Sequence, residues 1–242
     1  MAHFYIDETL ESAVVGQRVA ISGAEARHAV TVSRLAPGEI VSIGNGAGLV
    51  VTGPVVTAEH AELAIQVAEV AEASRRSPAI FLAQALAKGD RDELAVQVAT
   101  ELGVDGVIPW SAARSISRWE GAKVAKGRDR WTAVVREASK QSLRAWIPDV
   151  LDLVTTKQLV RLAEGARILV LEPSAETPLG ALELDDRDLI LVVGPEGGVS
   201  PQELDALTSA GASLVRLGDE VLRTSSAGPA ALAVLNVALG RW

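Results

Sequence analysis

Leu189-Ile190-Leu191-Val192-Val193-Gly194-Pro195-Glu196-Gly197-Gly198-Val199-Ser200-Pro201 is the stretch that decides the fold class. Its first five residues are apolar without alternation. Such a strand is covered on both faces, as in the middle of a parallel sheet. It runs straight into Gly194. Ser200 is placed to cap a following helix, Pro201 suits its first turn, and Glu203 completes a capping box. The segment therefore predicts strand, loop and helix, with the loop at the carboxyl end of the strand, where open α/β sheets bind ligands. Three glycines let the backbone approach a ligand closely. On the glycines alone, a tight turn is the simpler reading. The loop lacks both the Gly-Lys-Ser/Thr ending of a phosphate-binding loop and the G-x-G-x-x-G spacing of a dinucleotide site.

Working outward, the same grammar holds from Ala79 onward. Ile80–Leu86 predicts a buried strand. Asp90 with Glu93 predicts a capped helix whose inner face carries Leu94, Val98 and Leu102, ended by Gly103. Val107–Trp110 is the next strand, and helices follow at about 121–141 and 156–164. Arg167–Leu171 and Ser213–Leu217 predict further strands, and a helix from about Pro229 to Leu239 closes the chain. This alternation implies an α/β domain with a mainly parallel sheet. The first seventy or so residues differ. Short apolar runs at Val14–Ile21, Glu39–Ile43, Leu49–Val56 and Leu63–Ala68 alternate with turns, and Gly23–Val30 predicts one short helix. That pattern suggests a small β-barrel. The expected division is a barrel over residues 1–74 and an α/β domain over 75–242.

The 242 residues contain no cysteine, which excludes a disulfide framework, a thiolate nucleophile and a cysteine-based zinc site. No metal site is expected. No apolar run approaches the ~18 residues of a membrane span, and the start of the chain does not resemble a signal peptide. A soluble, cytoplasmic protein is expected. Net charge is −8, yet Arg114–Arg144 holds nine basic and three acidic residues, a local +6 against −14 elsewhere. Such a segment suits a phosphate backbone, or it is a solvated helix face. The tryptophans between 110 and 146 suit either base stacking or packing, with packing the simpler reading.

Two more loops follow predicted strands: Leu171-Glu172-Pro173-Ser174, and Leu217-Gly218-Asp219-Glu220-Val221-Leu222-Arg223-Thr224. Leu191–Gly198 with Leu217-Gly218 and Val221–Thr224 resembles the RsmE family of 16S rRNA methyltransferases. So do Lys88-Gly89-Asp90-Arg91 with Glu101–Val104, Gln141-Ser142-x-Arg144 with Pro148, and His28 through Arg34-Leu35. The resemblance spans nearly the whole chain.

It implies an N-terminal PUA-like barrel that binds RNA and a C-terminal SPOUT domain with a trefoil knot. It implies a homodimer that uses S-adenosyl-L-methionine to methylate N3 of uridine 1498 in 16S rRNA, within the 30S subunit. The methyl donor would be held by Leu171, Glu172, Gly194, Pro195, Glu196, Gly197, Gly198, Leu217, Gly218, Val221 and Leu222. Glu196 equally suits a structural role. RNA contacts are expected at Arg27, His28, Arg34, Lys88, Arg91, Arg114, Arg118, Arg128 and Arg130. One departure stands out: Ser225-Ser226 replaces the family's Glu-Thr, and Gly228-Pro229 follows. N3 of uridine carries a proton, but His3, His28 and His60 all precede the α/β domain. Stabilisation of the uridine anion by Arg223 or Arg144 is therefore expected in place of a histidine base. The alternatives are a SPOUT enzyme on another RNA, including ribose 2′-O methylation, and a catalytically silent RNA-binding ribosome-assembly factor.

Overall fold

The structure is a computed structural model that describes residues 3–242. The chain divides into two compact units. One contains the residues up to Arg75 together with Ser139–Ile147; the other contains Arg76–Ala138 and Pro148–Trp242.

The first unit is a six-stranded sheet of β1 (His3–Ile6), β2 (Arg18–Ser22), β3 (Ile40–Gly44), β4 (Leu49–Glu59), β5 (Glu62–Gln66) and β6 (Glu69–Glu72), with one short helix, α1 (Gly23–Arg27). The order is β1-β3-β4-β5-β2, with β6 on β4; only β1 and β3 run parallel. The long strand β4 pairs with β3, β5 and β6, and its register with β5 shifts between Val55 and Thr57. Its core is aliphatic, with Ile43, Val51, Leu63 and Ile65 fully buried. The apolar run from Val14 does not form one strand. Gly16 takes φ +86° in a turn closed by Gln17 N–H on the Val14 carbonyl, so Val14 and Val15 are exposed and the strand starts at Arg18. The predicted helix at 23–30 is α-helical only to Arg27, then widens into a π-turn over His28–Val32. Within this unit Lys140 and Glu25 form a buried ion pair at 3.1 Å.

The second unit is built on a parallel sheet of β7 (Ile80–Ala85), β8 (Gly106–Ser111), β9 (Asp149–Val150), β10 (Val154–Thr155), β11 (Arg167–Leu171), β12 (Leu189–Val193) and β13 (Ser213–Val215). The order is β10-β8-β7-β12-β11-β13, with β9 also on β8. Its helices are α2 (Arg91–Glu101), α3 (Ala122–Gln141, whose last residues belong to the first unit), α4 (Thr156–Arg161), α5 (Pro201–Ser209) and α6 (Thr224–Ala238). β12 lies between β7 and β11 with all five residues buried, which is why it is apolar without alternation.

Two helices differ from expectation. Asp90 precedes α2 in a left-handed conformation, φ 59°, and its side chain does not cap. Asp92 takes the loop instead, accepting N–H bonds from Ala87 at 3.0 Å and Glu93 at 2.9 Å. Burial pushes the Asp92 carboxyl above its ordinary range, and those bonds only partly offset it. The buried face of α2 is Asp92, Ala95, Val96, Ala99 and Thr100, while Leu94 is exposed. The α2–α6 packing selects small residues, so the larger Leu94 faces outward. In turn, α6 starts at Thr224, five residues before the expected Pro229. Pro229 falls beyond the first turn and lacks the N–H that would bond the Ser225 carbonyl. Gly228 offsets this by close approach: a Cβ there would lie 3.0 Å from Leu82 and 3.4 Å from Val193.

The Ser200 cap is as expected, with the Glu203 box formed in both directions. Glu203 reaches further. Its Oε2 accepts from the Ser200 N–H and hydroxyl, while Oε1 accepts from Ala113 N–H at 2.8 Å and Thr156 Oγ1 at 2.7 Å. One buried carboxylate thus ties the β12–α5 turn to the chain after β8 and to the start of α4. Burial alone would raise this carboxyl, but the Thr156, Ala113 and Ser200 bonds outweigh it and hold it below the ordinary range. A depressed carboxyl contributes stability above the pH where its unfolded counterpart titrates and loses it as pH falls through the folded value. Glu203→Ala is expected to cost about 3 kcal/mol at neutral pH by leaving buried donors unpaired. In urea titrations the gap between wild type and Glu203→Gln should close as the solution is acidified; a pH-independent gap would refute this role.

Candidate functional site

The loops after β11, β12 and β13 and the start of α6 enclose one cavity of about 480 Å³. Ten of the eleven residues expected to hold the methyl donor line it: Leu171, Glu172, Gly194, Pro195, Glu196, Gly198, Leu217, Gly218, Val221 and Leu222. Gly197 does not. Its carbonyl accepts from Arg114 Nη1 at 3.1 Å, and a Cβ would come within 3.3 Å of the Arg114 Cβ. The walls also contain residues the sequence did not single out for binding: Val193, Val199, Val215, Arg216, Glu220, Thr224 and Ala227.

Thr224 holds the site together. Its Oγ1 donates to the Gly194 carbonyl at 2.8 Å and accepts from Gln84 Nε2 at 2.8 Å. Gln84 is fully buried on β7, and its amide also reaches the Ala85 carbonyl at 3.1 Å. The bend after β12 is therefore pinned to β7 and to the first residue of α6. A glutamine inside an otherwise apolar strand was the available signal, since a buried amide must find partners.

Glu196 faces the loop after β7. Its Oε1 accepts from Lys88 N–H and Arg91 Nη1, both at 3.1 Å. Burial works against the carboxylate, but the N–H groups of Glu196 itself and Lys88, and then Arg91, hold it below the ordinary range. Arg91, expected among the RNA contacts, thereby lies at the cavity wall. Arg223 is exposed and lines the cavity, and its guanidinium has no hydrogen-bond or ion-pair partner among the described residues. Arg144 belongs to the other compact unit and is not part of this wall.

The basic segment is largely engaged with the protein itself. Arg118 donates to the carbonyls of Ala112 and Ala113, Arg128 pairs with Asp152 at 2.5 Å, and Arg130 pairs with Glu93 at 2.8 Å. Lys123 and Lys126 are exposed without such partners among the described residues. Arg27, His28 and Arg34 lie in the first unit. Arg27 and Arg34 are exposed, and His28 packs edge-on against Tyr5. Trp110 and Trp131 are buried, and Trp146 donates to the Ala73 carbonyl at 2.7 Å, so most of this tryptophan cluster packs. Among the described residues, no group of three or more His, Cys, Asp or Glu is arranged to hold a metal ion. No helix there is long and apolar enough to cross a membrane.

The model of the RNA methyltransferase domain family matches residues 75–236. Over 99% of its length the chain is 42% identical to ribosomal RNA small subunit methyltransferase E of Mycobacterium bovis, covering 92% of that protein. This chain belongs to the ribosomal RNA small subunit methyltransferase E family. The Bacillus subtilis member is 29% identical, with 98% of this chain and 96% of that protein covered. The crystal structure of the Neisseria gonorrhoeae member, bound to S-adenosyl methionine, superposes with a TM-score of 0.88 at 28% identity and 98% coverage of both chains.

The Thr224 bonds can be tested without any ligand. Thr224→Val keeps the shape and removes the hydroxyl, leaving the Gln84 amide and the Gly194 carbonyl without this partner. Denaturant unfolding should show a loss of about 2 kcal/mol, with Thr224→Ser recovering most of it. A valine variant as stable as wild type would contradict the assignment.

Proposed function

We propose that this protein is an S-adenosylmethionine-dependent methyltransferase of small-subunit rRNA, and that the cavity beside Gly194 holds the methyl donor. The observation that carries this reading is the convergence of three strand-end loops and the start of α6 on one cavity, in a chain of this family. The donor set fits the group. Leu171, Val193, Val215 and Leu222 offer apolar surface to an adenine ring. Glu172 and Glu220 offer acceptors for ribose hydroxyls and a negative field for a sulfonium. The volume lies in the range of small-molecule sites. Bound there, S-adenosylmethionine would supply an electrophilic methyl group.

The chain's own part is to place the nucleophile and stabilise its charge. We assign the target as N3 of a uridine, uridine 1498 in the family's pattern, which must lose a proton before it attacks. Arg223 is the residue for this. Its unpaired guanidinium at the cavity edge can donate to a uracil oxygen and stabilise the anion as it forms. His3, His28 and His60 lie in the first unit, so no histidine of the second unit serves as base. Arg144 is the second arginine proposed for stabilising the anion.

The finer architecture belongs to the same proposal. The first unit is read as a PUA-like RNA-binding barrel, and the loops around the cavity as a SPOUT trefoil knot. A homodimer is supported by apolar side chains left exposed on packed helices, Leu94 on α2 and Val237 on α6. Arg27, His28 and Arg34 on the first unit, with Lys88, Arg114, Arg118, Arg128 and Arg130, are proposed to meet RNA phosphates. The setting is the cytoplasm, on 30S particles.

Mass-spectrometric mapping of 30S subunits from a deletion strain, before and after adding the protein with S-adenosylmethionine, tests the reading. One methyl on a uracil N3 is expected. A methyl on a ribose would favour the related 2′-O activity. Absence of methylation, together with no S-adenosylmethionine binding by calorimetry, would favour a silent assembly factor. Arg223→Ala is expected to lower kcat by 100-fold or more, about 2.7 kcal/mol, while S-adenosylmethionine affinity stays within about threefold; unimpaired turnover would remove Arg223 from the mechanism.

A further inference from the structure

A second cavity, of about 330 Å³, is lined in part by the loop after β7. Its walls are Lys88 and its neighbours, including the acidic residues Asp90, Asp92 and Glu93, then Ile116, Ser117 and Trp119, and α3 around Gly127. The Trp119 indole lies on the α3 backbone at Gly127, where a Cβ would stand 2.4 Å from the ring. It also meets Trp131 edge-on, with 5.4 Å between centroids. The ring is fixed by these contacts yet remains partly exposed. Ile116 is 69% exposed, although it is a large aliphatic residue. Lys88 is exposed, and its ammonium has no partner among the described residues.

A fixed indole, an exposed aliphatic side chain and an unpaired ammonium around a cavity of this size match what single-stranded RNA requires. An unstacked base takes the aromatic and apolar surface, and its phosphate takes the cation. The position has the same logic. Glu196 binds the Lys88 N–H and the Arg91 side chain, so one loop separates this cavity from the larger one. A strand with its reacting base at the first cavity would pass the second.

We propose that this cavity holds one unstacked base from the same single-stranded segment as the methylated nucleotide. The proposal rests on the rRNA methyltransferase reading. Its test uses the full protein and fluorescein-labelled oligonucleotides spanning the mapped site, each with one abasic position, read by anisotropy. At one position the missing base should cost wild type about tenfold in affinity and cost Trp119→Ala less than about twofold. Ile116→Asp, a surface change that leaves the fold alone, should weaken the intact oligonucleotide about tenfold with S-adenosylmethionine affinity unchanged. Gly127→Ala, whose Cβ would stand 2.4 Å from the indole and displace it, should act in the same direction. Equal abasic penalties in wild type and Trp119→Ala at every position would overturn the proposal. So would wild-type binding by Ile116→Asp. Failure of the underlying reading is distinguishable, because wild type would then add no methyl group to 30S subunits.

Discussion

The hydroxyl of Thr224 is the small constraint on which the site depends. It donates to the Gly194 carbonyl and accepts from Gln84, joining the first residue of α6, the bend after β12 and the middle of the sheet. A glycine-rich bend has many conformations available, and ordering it costs entropy. Here one buried bond selects among them, and Gly228 lets α6 come close enough to the sheet for that bond to form. The cavity walls on both sides of Gly194 inherit that position. Glu203 does comparable work on the other side of the bend, so the loop is held at both ends while Glu196–Gly198 between them is exposed.

How much of this could be seen in the sequence depended on whether the determinant was local. β11 and β12 have the bounds expected, because the apolar residues in each are covered on both faces. The Ser200 cap was legible because hydroxyl, proline and glutamate stand at adjacent helix positions. The Asp90 capping box looked the same but failed, since Gly89 and Asp90 both take positive φ and the carboxylate that secures the loop is Asp92. The stripe of Leu94, Val98 and Leu102 has good helical spacing, yet packing against α6 chose the alanines of α2. Pro229 looked like a helix start because proline is tolerated there. It sits further in because the first turn of α6 is anchored by Thr224, a contact 140 residues from Gln84 that no local pattern reports.

Charge shows the same gap between composition and structure. The +6 segment is real, but Arg114, Arg118, Arg128 and Arg130 all bond to protein acceptors. Exposed pairs of this kind contribute little to stability. Arg128 can therefore exchange Asp152 for a phosphate at small cost. Arg114 is different, because its guanidinium holds the Gly197 carbonyl and moving it would disturb the glycine loop. The freely available cations are fewer than the count suggests, with Lys88, Lys123, Lys126 and Arg223 among them. That suits an acidic protein that must find one RNA segment without adhering to every other.

The serines at 225 and 226 bear on how the proton is handled. Ser225 is buried in the first turn of α6, and Ser226 is exposed. A carboxylate at position 225 would have to be desolvated, stabilised only by donors that this structure would need to bring to it. A hydroxyl there needs no such compensation, but a neutral hydroxyl is too weak a base to take the proton. Neither position is therefore suited to be the base in this chain. In the proposed reaction at uracil N3, stabilising the anion would achieve the same end from the other direction: a cation beside the uracil would make the N3 proton easier to lose to solvent, and no dedicated base would have to be buried. Arg223 is the residue we propose for that task, its side chain unpaired among the described residues while its carbonyl accepts from the Ser226 and Ala227 N–H groups at the start of α6.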